Sequence, residues 1–209
     1  MYRKYLKRWI DVIASILLMI IFSWLFLIII ILVRMSSKGS IFFKQKRIGS
    51  VKTEFYILKF RTMSSFTPSD VPTHLLENPE QYITRIGNFL RKTSLDELPQ
   101  LINILKGEMS FVGPRPALWN QFDLIDQRDK YNVNEIKPGL TGWAQVNGRD
   151  EISIETKAKL DGEYINNISF IFDAYCILLT VFCIFGKRGY KEGIIEKEYN
   201  YEESSSGWS

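Results

Sequence analysis

One apolar run dominates the start of the chain. From Val12 to Val33 no residue is charged, and only Ser15 and Ser23 are strongly polar. As a helix this run extends roughly 33 Å, enough to cross a bilayer core. It is too long for a cleaved signal peptide, and no small-x-small site follows it. Cations flank both ends. Arg3, Lys4, Lys7 and Arg8 precede the run, and Arg34, Lys38, Lys44, Lys46 and Arg47 follow it. The positive-inside rule keeps both ends on the cytoplasmic side. A straight span does not meet that condition, whereas a helix that enters one leaflet, bends and returns does. The midpoint is Ser23-Trp24, where a hydroxyl bonded back to a carbonyl would bend the helix. A plain span with imperfect charge bias is the alternative, supported in turn because irregular backbone at membrane depth needs polar cover, and on the sequence alone both readings stand.

Beyond the run, the pattern shortens. SIFFKQKRIGSVKTEFYILKFRTMSS alternates apolar and cationic residues around Gly49-Ser50 and predicts a strand, a turn and a second strand. Residues 66–81 carry Pro68, Pro72 and Pro79 and predict a loop with at most a short helix. Ile86, Phe89 and Leu90, then Leu98, Leu101, Ile102 and Leu105, predict two helices joined near Lys92–Ser94, the second ending at Gly107. MSFVGPRP and KPGLTGWAQVNGRD are read as turns. ISIETKAKLDGEYINN predicts a helix. ISFIFDAYCILLTVFCIFGKRG predicts an apolar helix, interrupted by Asp173, ended by Gly186 and short for a span, lying at the membrane interface or in the core. The polar tail from about residue 191 is expected to fray.

The expected fold class is α+β: a membrane-embedded helix, then a mainly helical cytoplasmic domain with a small β element and interfacial helices. The corresponding segments are 1–38 (membrane helix with basic flanks), 39–190 (catalytic domain) and 191–209 (tail). With 209 residues and 46% apolar content, the chain is long enough for one domain with a core. Cys176 and Cys183 read as small hydrophobes, and a lone histidine, His74, leaves no Cys/His zinc cluster. Neither GxGxxG nor GxxxxGK[ST] occurs. No nucleic-acid partner is expected.

The formal net charge of +4 sharpens one local question. In RKTSLDELPQLINILKGEMSFVGPRP two acids, Asp96 and Glu97, sit side by side among cations. Ser94-Leu95-Asp96-Glu97 matches a capping box, which explains the acids without chemistry, although Pro99 fits such a helix loosely. Yet Lys59, Arg61, Arg85, Arg91, Arg115 and Arg149 all lie at turns or element ends. Guanidinium groups suit phosphate oxygens. Such cations beside an acid pair suit an anionic substrate with a divalent cation, since Mg²⁺ takes one or two carboxylates plus substrate phosphates. On spacing, cap and site both stand.

Four stretches, FFKQKRIG (42–49), FYILKFRTM (55–63), TSLDELPQLINILKGEMSFVGPRP (93–116) and KPGLTGWAQVNGRD (137–150), together resemble the bacterial sugar transferase family, the monotopic phosphoglycosyl transferases. The likeness extends from the first helix to about residue 189. It is nearest in kind to the small members, such as the enzyme that starts bacterial N-linked glycan assembly. The resemblance implies transfer of a phosphosugar from a UDP-sugar to undecaprenyl phosphate, releasing UMP, with Mg²⁺. It implies a place on the cytoplasmic face of the bacterial inner membrane, with downstream glycosyltransferases as partners. Asp96 corresponds to the nucleophile that forms a covalent phosphosugar intermediate, and Glu97 to its partner, with the metal on this pair. Lys59, Arg91 and Arg115 match functional cations of the family, and Asp173 a functional aspartate of the late apolar helix. Arg61 and Arg149 join the expected phosphate-binding set.

Family members often carry Ser-Pro where this chain has Ser23-Trp24, which weakens the expected kink. Gly162 stands where a larger residue is usual and is expected to loosen its helix by roughly 1 kcal/mol. A sugar-only glycosyltransferase releasing UDP, and a non-catalytic membrane scaffold, are the competing readings. The absence of a DxD motif argues against many of the former, and the intact acid pair against the latter.

Overall fold

A computed structural model describes residues 2–64, 82–148 and 152–185. The expected loop at 66–81, His74, Arg149, Gly186 and the tail lie outside the described residues. The fold is a mostly helical domain with small β elements.

A π-helical turn, Tyr2–Leu6, leads into α1 (Lys7–Ile21), which breaks at Phe22 and resumes as α2 (Ser23–Ser36). The two axes meet at 65°. No single described helix is long and apolar enough to cross a membrane; the bent pair together matches a broken span or a re-entrant loop by length and composition only. The bend falls one residue before Ser23. Phe22 leaves helical geometry (φ −94°, ψ 10°) while the Phe22 and Phe26 N–H groups keep their i−4 carbonyls at 2.9 Å. Each half follows a different part of the domain. Leu18 and Met19 of α1 pack on Phe55, Ile57, Leu101 and Ile104, whereas Ile29 and Val33 of α2 pack with Phe60 and Leu90.

The polar residues of α1 face inward. Lys7 pairs with Asp173, whose carboxylate also accepts from Tyr2 (2.5 Å) and Tyr164 (2.7 Å). Arg8 donates to the carbonyls of Ile104 (2.5 Å) and Leu105 (2.7 Å). Asp11, 4% exposed, accepts the Phe111 N–H at 3.1 Å.

Strands β1 (Phe42–Ile48) and β2 (Glu54–Phe60) form the expected antiparallel hairpin, in register from Phe42↔Phe60 to Ile48↔Glu54. Helix α3 (Arg85–Lys92) starts at Thr84, whose hydroxyl accepts the Gly87 N–H at 2.9 Å. Helix α4 (Gln100–Lys106) ends, as expected, at a left-handed Gly107 (φ 86°). Between them stands a separate 3₁₀ turn, Leu95–Glu97.

The stretches read as turns hold more structure. Strands β3 (Ser110–Val112) and β4 (Gly139–Thr141) pair in parallel, and α6 (Trp143–Val146) follows α5 (Phe122–Asp129) and β4. Their glycines serve close approach. A Cβ on Gly142 would stand 2.0 Å from the Gly113 carbonyl oxygen.

Helix α7 (Ile154–Asn166) is capped by Ser153 and carries Asp161, which takes both Nε and NH2 of buried Arg128 at 2.9 and 2.6 Å. Gly162 does not act as a defect there. A Cβ would stand 2.8 Å from that of Tyr131, so the glycine lets α7 close on that residue. Helix α8 (Phe170–Phe185) holds Asp173 in its first turn, not at an interruption, because Lys7, Tyr2 and Tyr164 satisfy the carboxylate. Cys176 is buried in the core and Cys183 partly covered, both free.

Gly87 sets the seat of α3. A Cβ there would lie 1.9 Å from the Thr62 carbonyl oxygen. Gly87→Ala is therefore expected to push α3 off the end of β2 and cost about 1–3 kcal/mol, read as a lowered melting temperature in detergent.

Candidate active site

The acid pair sits where three elements meet. Strand β2 alternates its faces, so Phe55 and Ile57 enter the core and Lys59 follows on that same face. The 3₁₀ turn supplies Asp96 and Glu97. Arg91 comes from the last turn of α3, and Arg115 from the Gly-Pro-Arg-Pro segment after β3.

Lys59 Nζ donates to Glu97 Oε1 at 2.7 Å and lies 4.0 Å from Asp96 Oδ2. Arg115 NH2 is 3.6 Å from the same Glu97 oxygen. Arg91 is aimed by Thr62, whose hydroxyl accepts from its Nε at 2.9 Å. Asp96 is 8% exposed. Burial pushes its carboxyl up to about 6, against the pull of Lys59; Glu97 adds to the rise, while Arg91 and Arg115 oppose it. The site thus holds one carboxylate that is poorly solvated and another that is firmly paired.

The capping box does not form. Ser94 is left-handed (φ 56°, ψ 16°) and its side chain makes no cap bond. Pro99, which brings no side-chain hydrogen bond, occupies the N-cap of α4. Proline is accommodated there because it has no N–H to donate. The helix consequently starts after the acids, which leaves both carboxylates outside its first turn.

The structure brings together Asp96, Glu97, Lys59, Arg91 and Arg115. Arg61 is placed elsewhere: it donates to the Ser37 carbonyl at 2.7 Å and closes the α2–β1 connection, with burial and Arg34 lowering its pKa. Arg85 opens α3 and is exposed. Asp173 joins α8 to the first residues of the chain, through Lys7 and Tyr2. Sequence reading missed Thr62, Arg8 and Asn103. Their signals, a threonine beside a basic motif, a charge before an apolar run and an asparagine on an apolar helix face, each have commoner explanations.

Among the described residues, no three His, Cys, Asp or Glu side chains converge on a possible metal. Mg²⁺ needs fewer, because substrate oxygens and water complete its shell. The hard oxygens of Asp96 and Glu97 fit that donor set.

An acid pair set among cations is a composition suited to group transfer from an anionic substrate. The chain belongs to the bacterial sugar transferase family, whose model matches residues 2–187. It is 44% identical over 176 residues to the uncharacterized sugar transferase EpsL of Bacillus subtilis, covering 84% of this chain and 85% of that protein. It is 38% identical over 197 residues to the exopolysaccharide production protein ExoY of Rhizobium meliloti, covering 88% and 87%. The UDP-glucose:undecaprenyl-phosphate glucose-1-phosphate transferase of Escherichia coli is 39% identical over 186 residues, covering 86% of this chain but 40% of that enzyme.

Because Ser94 makes no cap bond and holds a left-handed backbone, Ser94→Gly is expected to be neutral or stabilising by up to about 1 kcal/mol in thermal unfolding. Loss of a working cap would instead make the same change destabilising, by about a few tenths of a kcal/mol.

Proposed function

We propose that this protein transfers a phosphosugar from a UDP-sugar to undecaprenyl phosphate, yielding undecaprenyl diphosphate sugar and UMP. The observation that carries the reading is the buried Asp96 carboxylate, held among Lys59, Arg91 and Arg115. A carboxylate with little water around it is free to attack, and the cations suit a diphosphate.

In the first step an Asp96 oxygen attacks the β-phosphorus of the donor. The bond from that phosphorus to the bridging oxygen breaks, and UMP leaves with the electron pair. The product is an acyl phosphate that carries the sugar on Asp96. In the second step an oxygen of undecaprenyl phosphate attacks the same phosphorus, the acyl–phosphate bond breaks, and the carboxylate returns. Arg91 and Arg115 orient the phosphate oxygens. Lys59 holds Glu97 in place and limits repulsion between the two acids. Asp96 and Glu97 would hold Mg²⁺ together with the donor. Bound there, the ion supplies positive charge to the diphosphate as its bridging bond breaks.

The second substrate is a lipid, and the molecular surface is consistent with reaching one. Trp9, Ile20, Trp24 and Leu27 on the bent pair, and Ile171 (79% exposed) and Phe182 on α8, form apolar faces without protein cover. Surfaces of this kind call for a partner. We place α1–α2 in one leaflet as a re-entrant pair and α8 at the interface. The domain then lies on the cytoplasmic face of the inner membrane, with its site at the level of lipid phosphates. Residues 1–38 would be the anchor and 39–190 the catalytic unit.

The test is nucleotide release from purified protein in detergent or nanodiscs, with Mg²⁺, undecaprenyl phosphate and a panel of UDP-sugars. UMP that depends on both the lipid and one sugar is the expected product, and UDP would overturn the reaction. Asp96→Asn should abolish UMP release while the melting temperature stays near that of the parent; a folded variant that still turns over would remove the nucleophile assignment.

A pH dependence follows from the raised carboxyl. Protonated Asp96 does not attack, so kcat/KM in the parent should fall as pH drops through about 6. A limb in the ordinary carboxylate range would show that the cations outweigh burial in the working enzyme.

A further inference from the structure

Asn103 is fully buried in the middle of α4, at 0% exposure. Its carboxamide lies along the outer edge of β2, which among the described residues has no strand on that side. Oδ1 accepts the Leu58 N–H at 3.0 Å. Nδ2 donates to the Tyr56 carbonyl at 2.8 Å and to Glu108 Oε2 at 2.7 Å. One side chain therefore stands in for a neighbouring strand and uses both of its amide donors. The bonded N–H is the one immediately before Lys59.

Phe55 and Ile57 pack on Leu101 and Ile104 at this seam, and pairing with β1 holds the strand itself. The carboxamide adds a directional constraint between β2 and α4. It meets a donor and an acceptor of opposite polarity, and a slip by one residue would turn Lys59 to the other face of β2. Asn103 sits two turns beyond Asp96 and Glu97 on the segment that carries them, so this bond pair contributes directly to the distance from Lys59 to the acids.

We infer that Asn103 is a positioning residue for the transfer reaction: it locks β2 against α4 and so holds the Lys59 ammonium between Asp96 and Glu97. The inference rests on the acid pair being the reacting centre. Lys59 touches the acids, so its displacement acts on kcat more than on donor binding, which falls to the arginines. A role in stability alone would lower the melting temperature and leave the turnover of folded molecules intact.

The experiment compares Asn103→Leu, Asn103→Asp and the double variant Asn103→Asp/Glu108→Gln, assayed for UMP release well below their melting temperatures. Asn103→Leu should lose roughly 10- to 100-fold in kcat with little change in donor KM. Asn103→Asp sets two carboxylates against each other and should fall as far. The double variant keeps the Leu58 bond and restores that to position 108 but leaves the Tyr56 carbonyl without its donor, so it should recover only part of kcat. A folded Asn103→Leu with parental kcat overturns the inference. Where Asn103→Leu does not fold, Asn103→Ala decides: a folded Asn103→Ala with parental kcat overturns it equally. Turnover by Asp96→Asn would instead remove the acid pair as reacting centre, whatever the Asn103 variants do.

Discussion

The structure depends on a matching of charge inside α1. This helix is apolar on the surface it shows and polar on the surface it hides. Lys7, Arg8 and Asp11 all point into the domain, and each meets a partner of opposite charge or dipole: Asp173, the carbonyls at the end of α4, and the Phe111 N–H. Removing Asp173 would leave the largely covered Lys7 without its partner, and breaking a buried pair typically costs about 3–5 kcal/mol. The apolar helix is thereby fixed to the domain and cannot slide along it. The 65° bend then lets α2 pack on a second cluster, around Phe60 and Leu90.

The same economy governs the acid pair. Lys59 stands between two carboxylates, closer to Glu97 than to Asp96. Burial favours the protonated form of Asp96, and the cations around it favour the charged form. The arrangement keeps it between these limits, with its charge balanced by groups that it does not touch closely. Arg8 connects this balance to α1, because it caps the C-terminus of the helix that follows the acids, where a cation meets the helix dipole favourably. The helix that supports the site and the helix with the apolar surface are thus one mechanical unit.

Periodicity made much of the architecture legible. The β1–β2 hairpin around Gly49-Ser50, α3, α7 and the stop of α4 at Gly107 all follow from local pattern. The parallel pair β3–β4 did not, because Gly113, Gly139 and Gly142 look like turn residues and serve instead to bring two backbones together. The capping box failed for a related reason. Ser94 and Glu97 have the right spacing, but a left-handed Ser94 and Pro99 at the N-cap moved the helix start beyond the acids.

By itself the sequence determined the composition of the site: an adjacent acid pair, a lysine on a strand, and arginines at element ends, with an apolar run flanked by cations. These are local choices of residue type, and local pattern reveals them. Tertiary structure decided which cations serve the acids. Lys59 and Arg115 contact the pair and Arg91 acts on it at longer range, while Arg61 closes a loop at Ser37 and Asp173 receives Lys7. That division rests on separations of a few ångströms between groups far apart in the chain. Such separations arise from packing and from bonds such as those of Asn103, which no spacing along the sequence encodes.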